Sequence, residues 1–395
     1  MTKENNPIEK VSGPCVILAG AGTGKTYTII EKIKYLINNK IYLPEKIVCI
    51  TFSNEAANNL ISRVERALNL DNARPIIKTF HSFSADLLRR YGKRIGISSE
   101  FNVLTPDDAK VILHRYFKIP IGNCHKYISS IGTAKDLAIN LELIMDYLKN
   151  KLDKMQNLDL EKRLEDLQFE LRTIYLRGDK IRKNNISNEI KNISDILNLK
   201  KFANAWRAYE KIKRIKNYQD YSDLNVNALR LLQDNNEISN DFKYIIVDEF
   251  QDTNKLQLEL LFYLAKSKNI TIVGDLNQSI YRFRGAYNKN FHEFKEKFNV
   301  SSEDIFNLNK SHRSSNKILR AAHHLILNNY MNKNDCFEVL NFYNREGDKI
   351  EVFELKDAKE EARKIVELLE REKANGTELQ EICVMFRTHQ QGRLI

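Results

Sequence analysis

The segment AGAGTGKT at residues 19–26 has the residue types and spacing of a loop that binds phosphate groups. It matches the pattern G-x-x-x-x-G-K-[ST] at every position except Ala19. Glycines let the backbone turn its N–H groups toward phosphate oxygens, and the following helix N-terminus adds positive potential. We expect Lys25 to reach the β- and γ-phosphates of a nucleotide and Thr26 to offer its hydroxyl to Mg²⁺. The loop residues predicted to contact the nucleotide are Ala21, Gly22, Thr23, Gly24, Lys25 and Thr26.

Two acidic residues, Asp248 and Glu249, follow directly after the apolar run YIIV. A phosphate-binding loop needs a second, acidic element that holds the magnesium. We expect Asp248 to hold Mg²⁺ through water and Glu249 to act as the general base on the attacking water. The alternative is that the two residues only cap the next helix.

A third polar segment, GDLNQ, follows the apolar run ITIV. Its glutamine, Gln278, stands three residues after Asp275. A glutamine at this place can contact the γ-phosphate or the attacking water. Such a contact changes when the phosphate leaves, so Gln278 is a candidate switch residue.

Strand and helix patterns alternate around these segments. Short apolar runs predict strands at residues 14–19, 47–52, 244–247 and 270–273, with a strand or turn at 78–83. Helical periodicity covers residues 26–38, 54–68 and 84–91. This alternation predicts an α/β fold in which a parallel sheet has helices on both faces.

The pattern changes twice along the chain. Between residues 91 and 219 strand signals vanish and long helical patterns dominate, with IRKNNISNEI expected as a polar loop or helix break. From residue 305 a helix (315–329), a strand (349–355), a helix (359–372) and a strand (382–386) predict the opening of a second α/β domain. We therefore divide the chain into a nucleotide-binding domain (1–90 and 220–300), a helical inserted domain (91–219) and a partial second α/β domain (301–395).

The chain is basic, with 63 Lys and Arg against 52 Asp and Glu, a net charge of +11. Residues 149–216 alone carry eighteen basic against ten acidic side chains, a net charge of +8. Such an excess attracts polyanions, although a solvated helical face would show the same composition.

Cysteine usage and hydropathy suggest the compartment. The five cysteines are scattered and form no C-x-x-C pair, which argues against a disulfide framework or a zinc site. No run of about 18 apolar residues is present, and the first residues lack the apolar stretch of a signal peptide. We expect a cytoplasmic protein that does not enter a membrane.

Taken in order, the motifs resemble those of superfamily 1 helicases of the UvrD/Rep/PcrA type. The resemblance runs to the C-terminus and is interrupted only by the helical insertion, and it is carried by these segments: AGAGTGKT, ITFSNEAANNL, TFHSF, DYSDL, VDEFQD, GDLNQSIYRFRGA, LNKSHRSSNKIL and FRTHQQGRLI. It implies two RecA-like domains with ATP and Mg²⁺ between them. It also implies movement along single-stranded DNA in the 3′-to-5′ direction, in repair, replication or recombination.

The resemblance also implies residue roles. Arg313 matches the arginine that contacts the γ-phosphate across the cleft, and His312 stands where an aromatic residue stacks on adenine. The predicted contacts with single-stranded or partly duplex DNA are Phe52, Asn54, His81, Tyr281, Phe283 and Arg284. Flat side chains stack on any base, so such a grip tolerates any sequence. The alternative for Phe52, and more so for Phe80, is packing in the core.

The sequence departs from the family's motifs at some positions. No glutamine that could read adenine precedes Gln156, and phenylalanine replaces the usual tryptophan at Phe283. The family's motifs V and VI would follow residue 395, so we leave open whether this chain turns over ATP alone or needs a separate chain or an oligomer to complete its second domain. Two alternatives remain: an ATP- and DNA-binding module without catalysis, and a helicase subunit of a recombination nuclease.

Overall fold

The structure is a computed structural model. It describes residues 6–68, 73–155, 159–175, 180–279, 286–287, 289–330, 332, 338–388 and 390–393. The strands are β1 (Pro14–Ala19), β2 (Ile47–Thr51), β3 (Ile76–Thr79), β4 (Asn102–Leu104), β5 (Tyr218–Asp220), β6 (Tyr244–Val247), β7 (Ile270–Gly274), β8 (Ile305–Leu308), β9 (Lys310–Ser311) and β10 (Leu340–Asn341).

Helices connect these strands and form the inserted region. They are α1 (Lys25–Asn38), α2 (Asn54–Ala67), α3 (Phe80–Tyr91), α4 (Pro106–Phe117), α5 (Ile121–Asp136), α6 (Leu141–Lys154), α7 (Leu160–Tyr175), α8 (Lys180–Lys216), α9 (Tyr221–Asp234), α10 (Lys255–Leu264), α11 (Asn290–Phe298), α12 (Asn316–Ile326) and α13 (Ala358–Ala374). Within the described ranges, none has an apolar stretch long enough to cross a bilayer.

Six strands form one parallel sheet in the order β3-β2-β6-β7-β1-β8. Successive residues of β2 enter opposite cores: Val48 and Ile50 pack on one face, and Ile47 and Cys49 on the other. Burial of one such side chain contributes about 1.5–3 kcal/mol. The predicted parallel sheet with helices on both faces is therefore confirmed. Because all strands run the same way, the loops that follow them meet at one edge, which we call the carboxyl edge.

The strand β8 lies in this first sheet, although we assigned its residues to the second domain. It pairs with β1 from Val16↔Ile305 to Ala19↔Leu308. The phosphate-binding loop after β1 therefore lies beside the segment that follows β8. This pairing brings residues 310–315 to the same edge as the loop.

The inserted region contains the helices α4–α8, as predicted, together with two strands that the sequence did not predict. The three-residue strands β4 and β5 pair in parallel where the chain leaves and re-enters the first domain. A strand of three residues is too short to show a period-2 pattern.

The expected loop or break at IRKNNISNEI is wrong, because α8 runs through it as a helix of 37 residues. Asn and Ser are poor helix formers. The residues Ile186, Ile193 and Leu197 are nevertheless buried against Leu160 and Leu167 of α7. Packing of this apolar face outweighs the weak propensity of the polar residues between.

The strands predicted at residues 349–355 and 382–386 are also wrong. Both segments are described, and neither forms a ladder with another described segment. A strand needs a neighbour to satisfy its backbone N–H and C=O groups. Their apolar side chains remain exposed, including Val352 and Met385 at 88% each. The predicted helices are present as α12 and α13.

A buried ionic cluster joins the inserted region to the first domain. Lys213 of α8 donates to Asp220 (2.7 Å) and Asp223, and Lys135 of α5 donates to Asp223 (2.5 Å) and pairs with Glu210 (2.8 Å). Burial alone would raise the pKa of Asp220, but the two ammonium groups reverse this and hold it well below its usual range. Asp220 and Asp223 also form the capping box of α9, so the cluster fixes the start of that helix.

Replacing Lys213 with Met is expected to lower the free energy of unfolding by about 3–5 kcal/mol, because two buried carboxylates lose a partner. The Lys213 side chain is only 2% exposed. Urea unfolding followed by circular dichroism measures this. The matched control is Lys211→Met on the exposed side of the same helix, expected within about 0.5 kcal/mol of wild type. A loss below about 1 kcal/mol for Lys213→Met would contradict the role given to the cluster.

Candidate nucleotide and DNA site

The phosphate-binding loop joins β1 to α1 at the carboxyl edge, as predicted. Gly22 (φ 72°) and Gly24 (φ 90°) both adopt the left-handed conformation that glycine allows without strain. Gly24 is the N-cap of α1, so the helix begins at Lys25 with its free N–H groups at the loop. Thr23 closes the turn, since its hydroxyl donates to the Gly20 carbonyl at 2.9 Å. The loop therefore has the backbone form of an anion-binding site.

The lysine of the loop forms an ion pair with the predicted general base. Lys25 Nζ lies 2.6 Å from Glu249 Oε2. Glu249 stands just after β6 and itself has a left-handed backbone (φ 50°, ψ 46°), which is costly for a residue with a Cβ. Such strain is typical of functional positions, and here it directs the carboxylate toward the loop.

The acidic residues around this pair give the site an excess of negative charge. Burial raises the pKa of Asp248 to about 6, and the charge of Glu249 adds to the rise. The same two causes raise the pKa of Asp252 to about 6. The oxygen Asp252 Oδ1 is buried and has no hydrogen-bond partner among the described residues. Carboxylates that repel one another beside one lysine are a donor set that fits a divalent cation such as Mg²⁺.

The candidate switch Gln278 lies after β7 on the same edge. Its Nε2 donates to Asp275 Oδ2 at 2.8 Å. The backbone N–H of Asp275 in turn donates to Gln251 Oε1 at 2.9 Å. The structure thus connects Gln278 to the acidic segment through Gln251, for which no role was predicted from the sequence. The only available signal was its place inside VDEFQD.

The segment that carries His312 and Arg313 packs on the phosphate-binding loop. The His312 N–H donates to the Gly22 carbonyl at 2.9 Å, and a Cβ added at Gly22 would lie 2.5 Å from Arg313 Cβ. The His312 ring contacts the Phe342 ring at a tilt of 36°, with centroids 4.4 Å apart. The predicted cleft residues are therefore brought to the loop, and both side chains are exposed.

Some of the predicted DNA contacts lie on the neighbouring part of the carboxyl edge. Phe52, directly after β2, is 38% exposed, whereas Phe80 is buried in the core at 6%. Asn54 is exposed at the start of α2. His81 is partly buried in the first turn of α3, where burial lowers its pKa and its ring meets Tyr221 at 5.7 Å. The predicted contacts Tyr281, Phe283 and Arg284 lie outside the described residues.

Comparison with known proteins agrees with this arrangement. The model of the UvrD/REP helicase N-terminal domain matches residues 1–299, and that of the UvrD-like helicase C-terminal domain matches residues 306–395.

Curated relatives show the same likeness. The chain is 33% identical to the ATP-dependent DNA helicase Rep of Buchnera aphidicola subsp. Schizaphis graminum, over 99% of this chain and 54% of that protein. It is 31% identical to the ATP-dependent DNA helicase PcrA of Staphylococcus aureus, over 100% of this chain and 48% of that protein. The chain thus spans about half the length of the curated relatives it matches. The family matches and the order of the site residues confirm the resemblance: this chain belongs to the UvrD/Rep family of helicases.

Proposed function

We propose that this chain provides the ATP-binding part of a DNA helicase that moves along single-stranded DNA in the 3′-to-5′ direction. The observation that carries the proposal is the Lys25–Glu249 pair (2.6 Å) at the end of a phosphate-binding loop. Lys25, which can bind phosphates, and Glu249, which can accept a proton from water, thus lie at the same edge of the sheet. Relatives at 31–33% identity are named ATP-dependent DNA helicases.

In the proposed reaction Lys25 leaves Glu249 and binds the phosphates of ATP, because the triphosphate carries more negative charge than a single carboxylate. The freed Glu249 carboxylate then accepts a proton from the attacking water. Thr26 and Asp248 would hold Mg²⁺, which neutralises charge on the transferred phosphoryl group when it is bound. Arg313, already beside the loop, would add positive charge from the other side of the cleft, and His312 would stack on the base.

The proposed DNA path lies on the same edge as the nucleotide site. Phe52 and His81 follow neighbouring strands, β2 and β3, and offer flat rings that can stack on any base. Because both sites are formed by loops of one sheet, a change at the phosphates can reach the DNA contacts through short connections. The shared edge therefore supports a motor rather than two unrelated binding sites.

A strand-displacement assay tests the proposal. A fluorescent duplex with a 3′ single-stranded tail is expected to be unwound in the presence of ATP and Mg²⁺, and a duplex with a 5′ tail is not. Equal unwinding of both substrates would contradict the proposed direction. Failure to bind either ATP or single-stranded DNA would contradict the proposal as a whole.

Binding to single-stranded DNA is expected to weaken steeply with salt, since each phosphate contact releases about 0.7 counterion. Exposed lysines of α8 provide a test. The double variant Lys200→Ala/Lys201→Ala should reduce the slope of log K against log[salt] by about 1.4, measured by fluorescence anisotropy.

The matched control for the salt experiment is Lys266→Ala/Lys268→Ala. These two exposed lysines lie before β7, at the opposite end of the sheet from the site. The control should leave the slope unchanged. An unchanged slope in the α8 variant would show that this helix does not touch DNA.

A second candidate is a module that binds ATP and DNA but completes catalysis only with a further chain. The exposed apolar residues of 349–355 and 382–386 favour it, because they offer backbone and side chains for added strands. The two candidates differ in steady-state ATP hydrolysis by the isolated chain, which only the first predicts.

A further inference from the structure

The buried residue Gln251 connects the general base to the segment that precedes the predicted DNA contacts. It is 4% exposed and lies in the turn after Glu249. Its Nε2 donates to Glu249 Oε2 at 2.8 Å, and its Oε1 accepts the Asp275 N–H at 2.9 Å. One side-chain amide therefore bridges the loops that follow two neighbouring strands, β6 and β7.

The side-chain amide of Gln251 packs closely against Gly274. A Cβ added at Gly274 would lie 2.6 Å from Gln251 Oε1 and 3.0 Å from the ring of Phe291. A side chain at position 274 would therefore displace the Gln251 amide or the Phe291 ring. The Ser279 hydroxyl donates to the backbone carbonyl of Gln251 at 3.4 Å. Because both ends of the amide are bonded, movement of one loop is passed to the other rather than absorbed by a rotamer change.

The hydrogen bonds at Glu249 give its two carboxylate oxygens different roles. Lys25 and Gln251 both donate to Oε2, at 2.6 and 2.8 Å. In the proposed reaction Lys25 departs to the phosphates, so Gln251 is the donor that stays on Oε2. The carboxylate keeps its orientation, and Oε1 remains as the acceptor for a proton.

The other end of the bridge lies in the segment that continues along the chain to the predicted DNA contacts. Asp275 holds Gln278 through its carboxylate, and Asn277 accepts a hydrogen bond from Tyr330 at 2.6 Å. The predicted DNA contacts Tyr281 and Phe283 follow within five residues of Gln278. Because these residues follow Asp275 along the chain, DNA bound to them would restrain the segment whose Asp275 N–H donates to Gln251.

We infer that Gln251 is a positioning residue that couples DNA occupancy to the orientation of Glu249. The inference rests on the proposed function and deepens it. Bound single-stranded DNA fixes Asp275, and the Asp275 N–H fixes the Gln251 amide. The amide in turn orients the Glu249 carboxylate, so DNA stimulates hydrolysis. Gln251 touches neither substrate in this scheme, so its loss should affect turnover and its response to DNA more than binding.

The test compares Gln251→Leu with wild type in steady-state ATP hydrolysis, with and without a single-stranded oligonucleotide. Gln251→Leu is expected to lower the DNA-stimulated kcat by about 10- to 100-fold, the effect of one lost hydrogen bond to a charged group. The KM for ATP should stay within about threefold, and the ratio of stimulated to unstimulated kcat should fall to about one. Gln251→Glu should show the same loss as Gln251→Leu, because a carboxylate has the size of the amide but cannot donate a hydrogen bond to Glu249.

The control is Gln257→Leu, whose side-chain oxygen accepts a hydrogen bond from the Asn254 N–H at the start of α10. It should keep the wild-type stimulation ratio, and circular dichroism of each variant checks the fold. A folded Gln251→Leu protein with wild-type stimulation would overturn the inference alone. A loss of kcat with the stimulation ratio intact would also overturn it, because the residue would then serve the base without coupling. A wild type that DNA does not stimulate would overturn the proposed function as well.

Discussion

Replacing Glu249 with glutamine is expected to lower the rate constant of ATP hydrolysis by about 10²- to 10⁴-fold, the usual contribution of a general base. The amide has nearly the same shape as the carboxylate but cannot accept a proton at neutral pH. Nucleotide affinity should be unchanged or increase. In wild type Lys25 is held by this carboxylate at 2.6 Å and must leave it to bind phosphates, and the variant removes that competitor.

Single-turnover hydrolysis and a fluorescent-nucleotide titration measure the two effects separately. The matched control is Glu259→Gln, which makes the same chemical change on α10, where Glu259 pairs with Lys255. It should behave as wild type in both assays. Hydrolysis at the wild-type rate by Glu249→Gln would assign the general base to another residue. A large loss of nucleotide affinity would show that the Glu249 carboxylate serves nucleotide binding and not catalysis.

Replacing Lys25 with alanine is expected to weaken ATP binding by about 30- to 150-fold while the fold stays intact. Lys25 is the point charge beneath the phosphates, and a charge-assisted contact in a partly buried site contributes about 2–3 kcal/mol. The Lys25 side chain is 13% exposed. Its loss also leaves Glu249 without its cation, so the empty site becomes more repulsive to phosphate.

Isothermal titration calorimetry with ATP and Mg²⁺ measures this loss, and thermal unfolding checks the fold. The control Lys34→Ala lies on the same helix, where Lys34 pairs with Glu31 on the surface. It should bind ATP as wild type does. Unchanged affinity of Lys25→Ala would place the nucleotide elsewhere on the chain.

The elements that position the nucleotide site follow from the sequence because their signals are local. Glycine spacing and the lysine of the loop define the turn after β1, and short apolar runs define the parallel strands. The helix through IRKNNISNEI did not follow, because it depends on burial of Ile186 and Ile193 against α7. Helix propensities are properties of single residues, so they do not include a contact with another helix.

The wrong strand prediction at residues 349–355 has a different cause: here the local pattern is present but the tertiary contact is missing among the described residues. The local pattern there is that of a strand, but a strand exists only when a neighbour pairs with it. Pairing is a property of the whole sheet, and the described part of the chain offers these residues no partner. The sequence therefore indicates which residues can form a strand but not whether they do.

Within the site, residue types were predictable but their pairings were not. Lys25, Asp248 and Glu249 were selected from motifs, whereas the bridge formed by Gln251 joins residues 249 and 275 through tertiary packing. The sequence likewise gave no sign that His312 would bond to the Gly22 carbonyl, because that contact depends on β8 joining the first sheet beside β1.

Steady-state ATP hydrolysis by this chain, with and without single-stranded DNA, tests the central claim most directly. We predict turnover that rises when DNA is added and that disappears in Glu249→Gln. Turnover that ignores DNA, or that survives the loss of Glu249, would contradict the assignment of a DNA-driven motor site to this edge of the sheet.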